Sequence, residues 1–381
     1  MKTILRLIGG MLVGACIGMI VVIPIIAIID GESLTTVARG IISKFSLQDV
    51  VDFVWLLTAV LISYVLNIAI HEAGHLVAGL LTGYRFVSYR FLNLTLIRKE
   101  GRLQWRNFEM AGTGGQCLMA PPDKPLEQID TRWYNAGGML ANLLLAGIAA
   151  VALWAFDLPF GISTLMWMII VLGLFIGLAN GIPMKIGGVA NDGLNLLQLE
   201  KDNTGKQCFC NILEMNARNQ EGEAYNDMPE HLFALPQPID WKNSMHVGAI
   251  MVAVTRMLAR HEWDDAYRLI AEALSHKESY MELYHLELEN MMTLACIATG
   301  RDDEARQHYT GDVAKYVAHH ASTQSDKLIT TMATALALDG DRTRAEQLLQ
   351  QLEKDRDTYI HQGDVAMSLD LMRWFLDNRQ A

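Results

Sequence analysis

Long apolar runs constrain this chain more than any other feature. A helix needs about 20 predominantly apolar residues to cross the hydrocarbon core of a bilayer. Four stretches meet that length: Ile4 to Ile29, uncharged except at Arg6, Phe53 to Leu81, Trp133 to Phe156, and Gly161 to about Pro183. The simplest expectation is an all-α polytopic membrane protein with about four transmembrane helices. A cleavable signal peptide is the rival reading of the first run. That run exceeds the roughly 7–15 apolar residues of a signal core, and no small-x-small cleavage site appears before Asp30.

The loop from Gly83 to Arg132 holds eight basic residues, Arg85, Arg90, Arg98, Lys99, Arg102, Arg106, Lys124 and Arg132. An excess of Lys and Arg marks cytoplasmic loops, so this loop is expected inside together with Lys2 and Arg6. The Asp30 to Asp52 connection then lies outside, and everything after Lys185 returns to the cytoplasm. Up to Glu200 the chain carries 13 Lys and Arg against 13 Asp and Glu, which places the whole net charge of -11 in the second half. Nucleic-acid binding needs clustered Lys and Arg to face phosphates, and this acidic half offers none. Five scattered cysteines, Cys16, Cys117, Cys208, Cys210 and Cys296, form neither a disulfide framework nor a repeated metal-ligand spacing. That pattern, without an organelle signal, fits a bacterial plasma membrane.

Within the basic loop, Phe86 to Ile97 is rich in β-branched and aromatic residues, and Glu100-Gly101 reads as a turn before Arg102 to Phe108. One membrane-proximal β-hairpin is expected, either as a structural flap or as an edge strand that pairs with an extended substrate.

After Asp202 the periodicity becomes that of soluble amphipathic helices. Three segments look alike: His261 to Ile270, Gly300 to His308 and Gly340 to Leu349. Their aligned alanines Ala266, Ala305 and Ala345 are 39 and 40 residues apart, a period that predicts stacked helical hairpins. This half resembles tetratricopeptide-like repeats with a longer period; a plain helical bundle is the alternative. His308, His319 and His320 read as surface histidines on these helices.

The second apolar run contains His71, Glu72 and His75 in the order His-Glu-Ala-Gly-His. Residues four apart share a helix face, so both imidazoles can reach one zinc ion while Glu72 stands beside the water it activates. Charged groups near the centre of a membrane helix cost about 2.5–3.5 kcal/mol each, so their presence there calls for a compensating role. Catalytic zinc usually takes three protein ligands. Asp192 is the expected third, beyond the helix-breaking Pro183, Gly187 and Gly188; its alternative role is a cap for the Gly193 to Leu199 helix.

These pieces resemble the site-2 protease family of intramembrane zinc metalloproteases, which pairs an HExxH helix with a later Asn-x-x-Pro segment ending in Asp-Gly, often with a Gly-x-x-x-Asn helix between. Here they are His71 to His75, Gly138-Met-Leu-Ala-Asn142, and Asn180-Gly-Ile-Pro183 followed by Asp192-Gly193. The likeness covers roughly Asp52 to Leu199, with a longer Pro183 to Asp192 spacing than the common form. It implies that Asn180 helps hold the substrate backbone or the oxyanion and that Asn142 contacts substrate. The residues themselves leave Asn142 equally a buried amide joining two helices.

The expected organisation is a transmembrane metalloprotease domain over 1–200, a linker over 201–240 and a cytoplasmic helical repeat-like domain over 241–381. The expected function is hydrolysis of a peptide bond in a membrane-embedded or membrane-adjacent substrate, with one zinc ion per chain, an active site towards the cytoplasmic face and a protein partner at the helical domain. The rival is a catalytically silent membrane scaffold that binds proteins or peptides through that domain. Retention of Glu72 argues against it, because a purely structural zinc site has no use for a general base.

Overall fold

A computed structural model describes residues 46–99, 102–108, 114–186 and 188–379, with a few positions among the first 37. Three of the described helices are long and apolar enough to cross a membrane: α1 (Leu47–Leu81), α2 (Arg132–Ala155) and α3 (Phe160–Gly181). The first expected span, Ile4 to Ile29, and the Glu100-Gly101 turn lie outside the described residues. Each helix is predominantly apolar, and α3 stops ahead of Pro183, whose ring cannot continue it.

The chain divides into two compact units, Met1–Asn67 with Leu143–Phe175 and Ile68–Asn142 with Ile176–Ala381. The first unit is held by apolar packing and by a few buried polar contacts. Trp55 Nε1 donates to the Gly161 carbonyl at 2.9 Å, and the buried Asn67 amide donates to Ser63 and Ile169 carbonyls at 2.9 and 3.3 Å.

In the second unit a four-stranded antiparallel sheet follows α1, in the order β3-β2-β1-β4: β1 (Arg85–Phe91), β2 (Leu94–Lys99), β3 (Arg102–Asn107) and β4 (Gly115–Ala120). The expected single hairpin is thus too simple. The stretch from Phe86 to Ile97 folds back at Leu92, whose φ of 51° makes the reversal, so that Phe91 pairs with Leu94. The fourth strand pairs Tyr89 with Cys117 and Phe91 with Gly115.

The stretch expected as a linker contains a long helix. Asn203–Glu221 forms a 19-residue helix, capped by Asp202 at its start and by left-handed Gly222 at its end. Call the helix before it α4 (Asp192–Gln198) and this one α5. Phe209 and Cys210 of α5 pack against Tyr84, Cys117 and Tyr134, while Met215 joins Tyr225, Phe233 and Ala259. Apolar residues on two faces hold the segment in place.

Beyond α5 the expected hairpins are present: α6 (Ser244–Ala259) with α7 (Trp263–Ser275), α8 (Glu282–Ala298) with α9 (Asp302–His308), and α11 (Asp326–Ala337) with α12 (Arg342–Asp355). A short α10 (Gly311–His320) intervenes and α13 (Gln362–Asn378) follows. Ala266, Ala305 and Ala345 are all fully buried. Each hairpin turns on a left-handed residue at the equivalent place, His261, Gly300 and Gly340. The repeat is therefore written in backbone conformation as well as in sequence.

Candidate metal centre

His71 and His75 lie one turn apart on α1, both buried, and α2 is packed close against them. Glycines permit that approach. A Cβ at Gly74 would collide with the Gly137 carbonyl and would stand 2.6 Å from Ala141 Cβ. A Cβ at Gly138 would lie 2.5 Å from Nε2 of both histidines, so glycine at this position keeps the space between the imidazoles open. One turn further along α2, Asn142 reaches His71.

The outward nitrogens have fixed partners. His71 Nδ1 is 2.7 Å from Asn142 Oδ1, and His75 Nδ1 is 2.7 Å from the Tyr134 carbonyl. A ring nitrogen that faces an oxygen acceptor carries the proton, which leaves the other nitrogen with its lone pair. Both Nε2 atoms therefore present lone pairs inward, 3.2 Å apart. Asp192 Oδ2 completes a triangle with them at 3.2 and 3.3 Å.

Two buried imidazoles and a partly buried carboxylate converge here, a group that could hold a cation. Ligand atoms bound tetrahedrally at about 2.0–2.1 Å from a zinc ion are separated by about 3.3 Å, which the triangle matches. His71, His75 and Asp192 also form a described group with metal-ligand spacing. The residue types and distances fit a zinc-class divalent ion. Metal-ligating histidines characteristically donate their second N–H to a carbonyl or carboxylate, as both do here.

Asp192 is held from behind by Asn191. Its amide oxygen accepts from the Leu194 and Met184 N–H groups at 3.0 and 3.1 Å, and its amide nitrogen donates to the Ala179 and Ile182 carbonyls at 2.9 and 2.7 Å. This one side chain ties the end of α3 to the start of α4. Gly193 meanwhile packs directly on the Gly181 carbonyl, with no room for a Cβ. Asp192 thus sits on the first turn of a helix whose cap is Asn191; it is neither on irregular backbone nor itself the cap. Burial by itself would raise the Asp192 carboxyl, but hydrogen bonds and charge from His71 and His75 hold it well below the usual carboxylate range.

Glu72 lies beside this triangle, under the start of β4. A Cβ at Gly115 would come within 2.7 Å of the Glu72 Cγ and Oε1. Arg90, buried in β1, donates to the carbonyls of Leu92 and Gly115 at 3.0 and 3.4 Å. Burial lowers its pKa, and the Glu72 carboxylate partly offsets that. Tyr89 donates to the Ala69 carbonyl of α1 at 2.6 Å, and burial pushes its phenol up to about 12.

Asn142 is fully buried and turns its amide oxygen onto His71. Asn180 donates one N–H to the Ile176 carbonyl of its own helix at 3.0 Å, and its amide has a second N–H. Sequence reasoning missed Asn191, Gly138 as the residue that makes room, and Arg90, which it counted only as a topology signal. The Asn directly before Asp-Gly was the available cue for Asn191. The four described cysteines are free and buried, and none lies at this centre. The chain matches no protein-family model, no curated protein and no solved structure.

Proposed function

We propose that the chain is an intramembrane zinc metalloprotease, similar to the site-2 protease family, in which His71, His75 and Asp192 hold one zinc ion per chain and Glu72 is the general base. The observation that carries this reading is the convergence of three acceptor atoms within 3.3 Å of one another, two from a helix apolar enough to span a bilayer and the third, from Asp192, on the first turn of α4. At 1.5 Å per residue, His75 and His71 stand roughly 9 and 15 Å from the Leu81 end of that helix. The centre therefore belongs within the hydrocarbon depth, towards the basic loop and the cytoplasmic face. The helical half is then cytoplasmic, and the membrane is proposed to be a bacterial plasma membrane.

When bound, zinc supplies Lewis acidity: activation of a water and polarisation of a peptide carbonyl. The chain supplies the rest. Glu72, set one residue after His71, takes the proton of the attacking water on a carboxylate oxygen and delivers it to the departing amine. Asn142 and the Tyr134 carbonyl hold both imidazoles in the tautomer that faces inward. Gly115 and β4 cover the carboxylate and keep bulk water from it. A partner surface is available in the helical half, where a cavity of about 540 Å³ is lined by Phe108, Met251, Met291, Lys327 and Met367 among others. Flexible methionines suit varied apolar segments, and recruitment of a membrane-protein or peptide substrate is the role proposed for it.

The test is zinc content in detergent-purified wild type, His71→Ala, Asp192→Ala and Glu72→Gln, with cleavage of co-expressed membrane proteins measured alongside. The expected pattern is zinc at the triangle in wild type, its loss in both ligand variants, and its retention in a Glu72→Gln protein whose cleavage falls at least about 100-fold. A correctly folded wild type without zinc at these ligands would defeat the proposal in favour of a silent scaffold.

A further inference from the structure

The helical half contains a second convergence of unlike donors. Cys296 lies near the end of α8 and is fully buried, while Glu304 and His308 lie one turn apart on α9. One ligand atom from each lies within 4.8 Å of the other two. The two helices are joined through left-handed Gly300, and this hairpin brings α9 back over Cys296.

Partners behind the donors make this more than a chance cluster. Tyr267 of α7 donates its hydroxyl to Glu304 Oε1 at 2.6 Å, leaving the second carboxylate oxygen for another partner. His308 Nδ1 stands 2.5 Å from Glu289 Oε2, and Glu289 Oε1 in turn is 3.1 Å from His285 Nε2. A carboxylate on one imidazole nitrogen fixes the tautomer in which the other nitrogen carries a lone pair, the arrangement common behind metal-ligating histidines.

The position also has a need for a clip. The second helices of the flanking hairpins, α7 and α12, have 13 and 14 residues, whereas α9 has seven and buries only Ala305 in the core. A two-turn helix with one buried residue gains little from packing. A ligand bridging α8 and α9 would add to the His308–Glu289 and Tyr267–Glu304 contacts that already hold α9.

We infer that Cys296, Glu304 and His308 form a second metal site, which takes a zinc-class divalent cation and fastens the short α9 helix to α8. Thiolate and imidazole donors favour such an ion over magnesium or calcium, which prefer all-oxygen sites. The donors close on it from their present spread to the separations of about 3.5 Å that zinc–sulfur and zinc–nitrogen bonds set. The site stands independently of the membrane centre, and Glu289 and Tyr267 orient its ligands.

Cobalt(II) loading of the detergent-purified full chain tests this, because a thiolate bound to cobalt gives a near-ultraviolet charge-transfer band. The membrane triangle has no cysteine, so the band does not read that centre and is expected to persist in His71→Ala; its loss in Cys296→Ser separates the second site from the other cysteines. Cys296→Ser and His308→Gln are expected to abolish it and to remove one metal per chain, and Glu304→Gln to weaken cobalt binding at least tenfold. Cys296→Ala, which keeps an apolar residue at the buried position, guards against loss through misfolding, with helical circular dichroism as the check. His319→Ala with His320→Ala is expected to change nothing. Absence of the band in folded wild type, or a band that survives Cys296→Ser, would overturn the site.

Discussion

Asn142 Oδ1 and His71 Nδ1 face each other at 2.7 Å across the α1–α2 interface, with both residues buried. The pair decides which imidazole nitrogen points at Asp192. Replacing Asn142 with Leu removes the acceptor, and zinc affinity is expected to fall about 10- to 100-fold. Asn142→Asp retains an acceptor and is expected to hold zinc nearly as well as wild type. Titration of the bound metal against a chelator separates the two variants, and equal retention in both would show that Asn142 has no part in orienting His71.

Gly138→Ala puts a methyl group 2.5 Å from both inward nitrogens. The expected result is a folded protein that no longer holds zinc at the triangle. Gly147 of the same helix has nothing within 4 Å of its would-be Cβ, so Gly147→Ala is the control and is expected to leave metal content and melting temperature unchanged. Metal content measured on both variants checks the pair, and a Gly138→Ala protein with full zinc would refute the geometry.

Asn191→Ala removes four hydrogen bonds that pin the first turn of α4 to the end of α3. Loss of such a helix cap costs about 0.5–2 kcal/mol, and here it also frees Asp192 to drift. Zinc affinity should drop although every ligand remains. Asn191→Asp keeps the two bonds its oxygen accepts and loses the two its nitrogen donates, so its affinity should fall between wild type and Asn191→Ala. Any other ranking in a competition assay contradicts the anchoring role.

Glu200 joins the helix following Asp192 to the start of α2: one oxygen accepts from the Thr131 N–H and hydroxyl at 2.9 and 2.8 Å, the other from Lys206 at 2.8 Å. Burial pushes this carboxyl up, but Lys206 and Thr131 outweigh it and the group titrates below its ordinary 4.5. A depressed carboxylate stabilises the fold above its ordinary range, and that contribution is lost as pH falls through its folded value. Glu200→Gln should cost about 1–3 kcal/mol near neutral pH, and the gap should close below about pH 4. Melting temperatures of both proteins against pH measure it; a gap that stays constant into acid would refute the charge-based account.

The helix of His71 and His75 stood out in the sequence because histidines four residues apart in a long apolar run place two imidazoles on one helix face. Asp192 was legible as a residue but not as a placement, since its position depends on Asn191 reaching back to Ala179 and Ile182, contacts made only after the chain folds over. Both readings of Asn142 stayed open because a buried amide and a substrate-facing one look alike in sequence. Gly115 to Ala120 escaped notice as a strand because it contains no β-branched residue and its pairing partner β1 is distant in the chain. The Asn203–Glu221 helix escaped for a similar reason: its many asparagines and glutamines mask the few apolar residues that dock it. In the helical half, alanine spacing carried the hairpins through, and even the left-handed turns fell at matching places.

That docked helix has a consequence for how such a protein can evolve or be engineered. Phe209 and Cys210 touch the residues around Tyr134, whose carbonyl fixes His75, while Met215 and Asn219 reach Tyr225, Phe233 and Asp364 on the other side. One rod is thus glued along its length to two neighbours. A cut at residue 240 would leave Tyr225 and Phe233 on the outer face of this helix but remove Ala259 and Asp364 from it, so the C-terminal half is not a cassette that detaches cleanly from the helix beside the centre.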